Sequence, residues 1–125
     1  TKIYARSVAA ALAAAPQGVH ALCHVTGGGI VGNLPRVLPD ECSAVLDGTW
    51  HEPSIFERIR KVADVPESEM RRTFNLGIGL LVVVSASDAT SVQQAMESAG
   101  ETVVAIGRVV PTVETAPRVR YTADE

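Results

Sequence analysis

The sequence predicts a single domain of the α/β class, α+β in type, with four to five strands and flanking helices. Apolar runs at residues 19–25, 42–47, 79–84 and 103–110 have the length of strands and are bounded by turn-forming residues. Residues 55–63 and 89–99 instead repeat their apolar positions at helical spacing. Hydrophobic residues make up 46% of the 125 and charged residues 20%, enough for one buried core and unlike a disordered chain. Aromatics are only 4%, so that core must be aliphatic.

Each element has a local cause. Ser7 is placed to cap a short alanine-rich helix that runs to Ala15, with Val8, Leu12 and Ala15 on one face and Pro16 behind it. Gln17 and Gly18 turn the chain into a first strand, where alternation puts His20, Leu22 and His24 on one face and Ala21, Cys23 and Val25 on the other. A helix beginning near Gly28 buries Ile30, Val31 and Leu34, but Pro35 disfavours helical geometry at Leu34 and keeps it short or kinked. Residues 42–47 form the second strand, closed by Gly48. Pro53 suits the first position of an amphipathic helix whose Ile55, Phe56, Ile59, Val62 and Ala63 turn inward, while Glu57 and Lys61 pair on its wet side. Pro66 opens another helical turn toward Thr73, and residues 75–79 break it.

Residues 79–84 are apolar on both faces, the mark of a central strand. Ser87 caps the next helix, with Ala89, Val92, Ala95, Met96 and Ala99 inward and Gly100 ending it. Residues 103–110 are a further strand, so the two strands around the Ser87 helix fit a βαβ-like unit. The domain is expected over residues 1–110. Residues 111–125 are a tail, read either as an edge strand near Arg118 to Tyr121 or as disordered.

A formal net charge of −3 and an isoelectric point near 5.6 argue against a nucleic-acid partner, which needs a basic stripe with interleaved aromatics. No run approaches the ~18 apolar residues of a membrane span. The chain opens on Thr1 without the features of a signal peptide, so a start inside a longer gene product is expected. Cys23 and Cys42 belong to no zinc-spaced cluster and read as buried free thiols. A disulfide stays open if their strands are neighbours.

Chemistry is concentrated in His24-Val25-Thr26-Gly27-Gly28-Gly29, which closes a strand with a hydroxyl and three positions without side chains. A helix N-terminus leaves about four N–H groups unpaired and carries roughly half a positive charge, so it can hold a phosphate without Lys or Arg. Glycines allow close approach of the backbone and positive φ. Two readings are open on this motif alone: an anion cradle, or a plain turn.

Two further blocks follow, Asn33-Leu34-Pro35-Arg36-Val37-Leu38-Pro39 and Glu69-Met70-Arg71-Arg72-Thr73-Phe74-Asn75-Leu76-Gly77-Ile78-Gly79. In this order and spacing the three blocks resemble the C-terminal domain of the phosphoribosylformylglycinamidine cyclo-ligase (aminoimidazole ribonucleotide synthetase) family, from about Lys2 to Gly107. The resemblance implies a mixed, partly ferredoxin-like sheet. It implies part of an ATP-dependent ligase that closes the imidazole ring of formylglycinamidine ribonucleotide in purine biosynthesis, releasing ADP and phosphate. It also implies a cytoplasmic homodimer, with ATP and Mg2+ held mainly on an N-terminal domain absent from this chain, so the chain alone is expected to be inactive.

On this resemblance Thr26, Gly27, Gly28 and Gly29 hold a phosphate-bearing group, His24 assists proton or charge handling, and Arg72 and Asn75 contact substrate. The side chains alone leave other readings: a buried strand histidine at His24, a cap at Thr26, surface roles for Arg36, Arg71 and Arg72, and a core anchor at Phe74. Trp50 and His51 read as packing or rim residues. His20 and His24, four apart on a strand, lack the helical spacing of a metal pair. Neither a nucleophile elbow nor a Lys-Ser/Thr phosphate loop is present. Rival readings are a related ATP-dependent enzyme (formylglycinamidine ribonucleotide synthetase, or a selenophosphate, thiamine-phosphate or hydrogenase-maturation relative) and a non-catalytic anion-binding or oligomerisation module.

Overall fold

In a computed structural model of the chain, residues 3–47 and 50–122 are described. They form a mixed α and β structure of five strands and five helices, in two compact units. The five strands are divided between a two-stranded sheet, β1 (Val19–His24) with β3 (Leu80–Val84), and a three-stranded sheet in the order β4 (Gly107–Pro111), β2 (Cys42–Leu46), β5 (Val119–Tyr121).

The first unit comprises Thr1–Leu22 and Val82–Ala105. Its helices α1 (Ala5–Ala14) and α5 (Ala89–Ser98) pack on one another, burying Ala11, Val92 and Met96. Ser7 is not the cap of α1. It lies within the helix, buried, and donates to Glu101 Oε1 at 2.7 Å, so tertiary pairing claims the hydroxyl that capping would have used. Leu12 is left 42% exposed, whereas its neighbour Ala11 is fully buried. Ser87 likewise sits inside a 3-10 turn over Ala86–Asp88, which Ser85 introduces.

The second unit comprises Cys23–Leu81 and Ile106–Glu125. Strand β1 (Val19–His24) begins in the first unit and ends in the second, and β3 (Leu80–Val84) runs from the second to the first. Within the second unit β2 (Cys42–Leu46) is the centre of the three-stranded sheet and buries Ser43, Ala44, Val45 and Leu46. It pairs antiparallel with β4 (Gly107–Pro111) and parallel with β5 (Val119–Tyr121), which makes this sheet mixed. Arg118 ties β5 down. Its guanidinium donates to the carbonyls of Pro39 (2.8 Å), Cys42 (2.9 Å), Leu38 (3.3 Å) and Pro35 (3.4 Å).

Several expectations change here. Among the described residues β3 pairs only with β1, so its all-apolar sequence does not mark a central strand. The expected strand over 103–110 is regular only from Gly107, and it joins β2 rather than β3, so no βαβ unit surrounds α5. Helix α3 (Ser54–Ala63) forms where expected, with the Glu57–Lys61 pair at 3.8 Å, but buries none of its residues. Ile55 is 54% and Val62 85% exposed while Phe56 and Ile59 are half-buried, so the amphipathic face is formed but only partly covered. Cys23 is buried and Cys42 half-buried, both thiols free. Gly48, expected to close β2, lies outside the described residues.

Candidate functional site

The segment after β1 is held by one buried side chain. Asn33, the last residue of α2 (Gly29–Asn33), is 4% exposed, and its Nδ2 donates to the carbonyls of Gly29 at 2.8 Å, Thr26 at 3.2 Å and Gly27 at 3.3 Å. Its Oδ1 accepts the Thr26 hydroxyl at 3.1 Å. A 3-10 turn, Leu34–Val37, follows at once with Pro35 at its start, which is why α2 has only five residues and a correspondingly small terminal dipole.

The three glycines of this loop have different causes. Gly28 is the N-cap at φ +100°, a left-handed conformation costly for any residue with a Cβ. Gly29, at φ +64°, gives its N–H to Thr26 O at 3.1 Å. A Cβ on Gly29 would overlap Arg71 O and lie 2.7 Å from Phe74 O. Gly27 has neither constraint: its φ is not positive, and beyond its two chain neighbours no heavy atom of the described residues lies within 4 Å of where its Cβ would stand. Among the described residues the N–H groups of Gly27 and Gly28 meet no main-chain carbonyl.

Thr26 and Gly27 face an open cleft of about 270 Å³. Its other lining comes from Val25, from Phe56 on α3, and from Thr73, Phe74 and Asn75 where α4 (Glu67–Thr73) ends. The Phe56 and Phe74 rings are tilted against each other with centroids 5.7 Å apart. Asn75 Oδ1 accepts the Gly77 N–H at 2.9 Å, an Asx-type turn. Next to it, Leu76 is buried at φ +54°, a strained conformation worth about 1–2 kcal/mol for a non-glycine residue. The Leu76 carbonyl accepts Trp50 Nε1 at 3.0 Å, which anchors the turn.

Of the residues singled out by sequence, the structure therefore brings Thr26, Gly27 and Asn75 to one cleft. Gly28 and Gly29 shape the loop without lining it. His24 is exposed at the end of β1, outside the cleft lining. Arg72 is exposed on the last turn of α4 and pairs with Glu69. Arg36 is exposed, and Arg71 lies 3.7 Å over the Tyr121 ring while pairing with Glu67 at 3.7 Å. Burial raises the Cys23 thiol pKa, opposed by the nearby Arg36 charge. Sequence reasoning missed Asn33 as the organiser of the loop. The signal was an amide in the apolar company of Ile30 and Leu34, since a buried amide must find partners. It also missed Phe56 and Thr73 as lining residues.

Among the described residues no three His, Cys, Asp or Glu side chains converge as a metal site. None of their helices is long and apolar enough to cross a membrane.

Comparison with known proteins finds relatives that share one name. The phosphoribosylformylglycinamidine cyclo-ligase of Sorangium cellulosum is 48% identical over 111 residues, covering 88% of this chain and 32% of that protein. The cyclo-ligase of the same name from a Polaromonas species is 44% identical over 117 residues, 93% of this chain and 33% of that protein. That of Albidiferax ferrireducens is 45% identical over 108 residues, 86% of this chain and 30% of that protein. The chain thus spans about a third of the length of these relatives. The family model described as AIR synthase related protein, C-terminal domain, matches residues 1–120, and the chain belongs to that family.

Proposed function

We propose that this chain is the substrate-binding C-terminal part of an ATP-dependent cyclo-ligase that converts formylglycinamidine ribonucleotide to aminoimidazole ribonucleotide, with ADP and phosphate as the other products. The observation that carries the reading is Gly27. A glycine that the backbone does not require, at the wall of an open cleft, is explained by a ligand that must approach the main chain closely. The N–H group of Gly27 at the cleft wall, with that of Gly28 next to it in the loop, supplies donors for a negatively charged oxygen, and Thr26 and Gly29 complete the loop that presents them. Asn75 contacts the substrate from the opposite block. His24 and Arg72, exposed beside these two blocks, handle charge at the rim, with Arg72 exchanging Glu69 for the substrate.

In such a reaction ATP activates the formyl oxygen as a phosphate derivative, so that an internal nitrogen can displace it and close the ring. The part played by this chain is to hold the substrate in a reactive conformation, a contribution that can be worth several kcal/mol of the barrier. The family resemblance supports placing ATP and Mg2+ mainly on an N-terminal domain. A cytoplasmic homodimer of the complete protein is part of the same proposal.

A chimera tests it. This chain, joined to the N-terminal two-thirds of the Sorangium cyclo-ligase in place of its own C-terminal part, is expected to cyclise the ribonucleotide with ATP, whereas the 125-residue chain alone is expected not to turn over. Rapid turnover by the isolated chain, or a folded chimera that binds neither substrate, would overturn the proposal.

A further inference from the structure

We infer that Asn33 is a positioning residue that fixes the Thr26 hydroxyl as a hydrogen-bond acceptor at the cleft, so that Thr26 meets an N–H group of the ligand and not a phosphate oxygen. The inference rests on the reading of this cleft as the substrate subsite. It starts from what a carbonyl can do. Three carbonyls, of Gly29, Thr26 and Gly27, lie 2.8, 3.2 and 3.3 Å from one terminal atom of Asn33, and a carbonyl only accepts. That atom is therefore the amide nitrogen, and the oxygen faces Thr26 Oγ1 at 3.1 Å. An amide oxygen also only accepts, so the single Thr26 proton points to Asn33 and lone pairs are what the hydroxyl has left.

A phosphate oxygen at neutral pH brings lone pairs as well, and two acceptors face to face repel. Reversing Asn33 would free the Thr26 proton only by setting its oxygen against three carbonyls inside the protein, where the amide is 4% exposed. The other block has the opposite polarity. Asn75 Oδ1 is occupied by the Gly77 N–H, so the N–H groups of Asn75 are those left to donate. An acceptor at Thr26 and a donor at Asn75, lining one cleft with the Phe56 and Phe74 rings, suit a planar amide- or amidine-like group that carries both an N–H and an acceptor atom. The phosphate is left to the N–H groups of Gly27 and Gly28.

Binding to the chain, followed by calorimetry, separates the two ends of the ligand. Formylglycinamidine ribonucleotide carries amide, amidine and phosphate groups, and ribose 5-phosphate lacks the first two. Thr26→Val is expected to weaken the ribonucleotide about five- to tenfold, the scale of one neutral hydrogen bond, and to leave ribose 5-phosphate within twofold. Thr26→Ser, which keeps the hydroxyl, is expected to bind both ligands as the wild type does. Asn33→Ala, which frees the Thr26 proton and loosens the loop that Asn33 holds, is expected to weaken both ligands. In that background Thr26→Val is expected to cost the ribonucleotide no more than it costs ribose 5-phosphate, whereas a purely structural role for Asn33 would leave the ribonucleotide-selective cost of Thr26→Val in place. Equal losses for the two ligands in Thr26→Val, or none for either, would overturn the inference alone. A wild-type chain that binds neither ligand would overturn the subsite reading and the inference with it.

Discussion

Replacing Gly27 with alanine is expected to weaken ligand binding while leaving the fold as stable as before or slightly more so. Beyond its two chain neighbours no heavy atom of the described residues lies within 4 Å of the new methyl and the backbone there is not left-handed, so the folded state is not strained. The unfolded chain loses conformational freedom, an effect of about 0.4–1 kcal/mol in favour of folding. With an unfolding entropy near ~2 cal/mol/K per residue, this raises Tm by roughly 1–4 °C. The same methyl enters the wall of the cleft beside Thr26, and loss of one close backbone contact to a charged oxygen weakens the ribonucleotide on the order of tenfold, about 1.4 kcal/mol. Gly29→Ala is the control: overlap with Arg71 O at φ +64° is expected to cost about 2–4 kcal/mol of stability. Thermal unfolding by circular dichroism and a calorimetric titration read the two effects separately. A Gly27→Ala chain that melts several degrees below wild type, or binds the ribonucleotide as tightly, would show that the glycine serves the loop and not a ligand.

Asn33→Asp puts a carboxylate against three carbonyls, which raises its pKa above the ordinary ~3.9. Because the folded state then holds the proton more tightly, the variant should lie nearest wild type below about pH 4 and fall away as pH rises toward 7. A Tm difference that is flat with pH would contradict this. The raised Cys23 pKa has the same sign: stability is intact below the unfolded value of 9.0 and declines above it, because the unfolded thiol ionises first. The wild-type Tm should therefore drop more steeply between pH 8 and 10.5 than that of Cys23→Ala, and parallel curves would remove Cys23 as the cause. Arg118→Lys gives up a planar fork that reaches four carbonyls, a loss of about 1–2 kcal/mol, while ribonucleotide binding stays unchanged because Arg118 does not line the cleft. Weakened binding in a chain with wild-type Tm would refute that separation.

The elements that could be read from sequence are those whose causes are local. Alternation along residues 19–24 separates His20 and His24 from Cys23, and the fold exposes the two histidines and buries the cysteine; Pro35 requires α2 to be short or kinked, and it has five residues. What stayed hidden depends on partners far along the chain. Apolar residues on both faces of β3 reflect partial burial of the strand and not how many strands flank it. The spacing of Ile55, Phe56, Ile59 and Val62 specifies that α3 has an apolar face, but whether anything covers that face is a tertiary property, and here Val62 remains 85% exposed. Ser7 fitted a cap until Glu101, remote in sequence, supplied a better partner for its hydroxyl.

The glycine run shows the same limit at the site itself. Three identical residues carry no internal distinction in sequence, so an anion cradle and a plain turn were equally compatible with them. Their surroundings separate the two readings. A plain turn asks for glycine only where φ is positive or where a neighbour crowds the backbone, and those demands account for Gly28 and Gly29 completely. Nothing among the described residues asks for a glycine at position 27, where a side chain would stabilise the protein and fill only open space. Gly32 is as unconstrained as Gly27 but lies away from the cleft, so the cradle reading is favoured by the place of Gly27 at the cleft wall, where a ligand gives its missing side chain a physical reason.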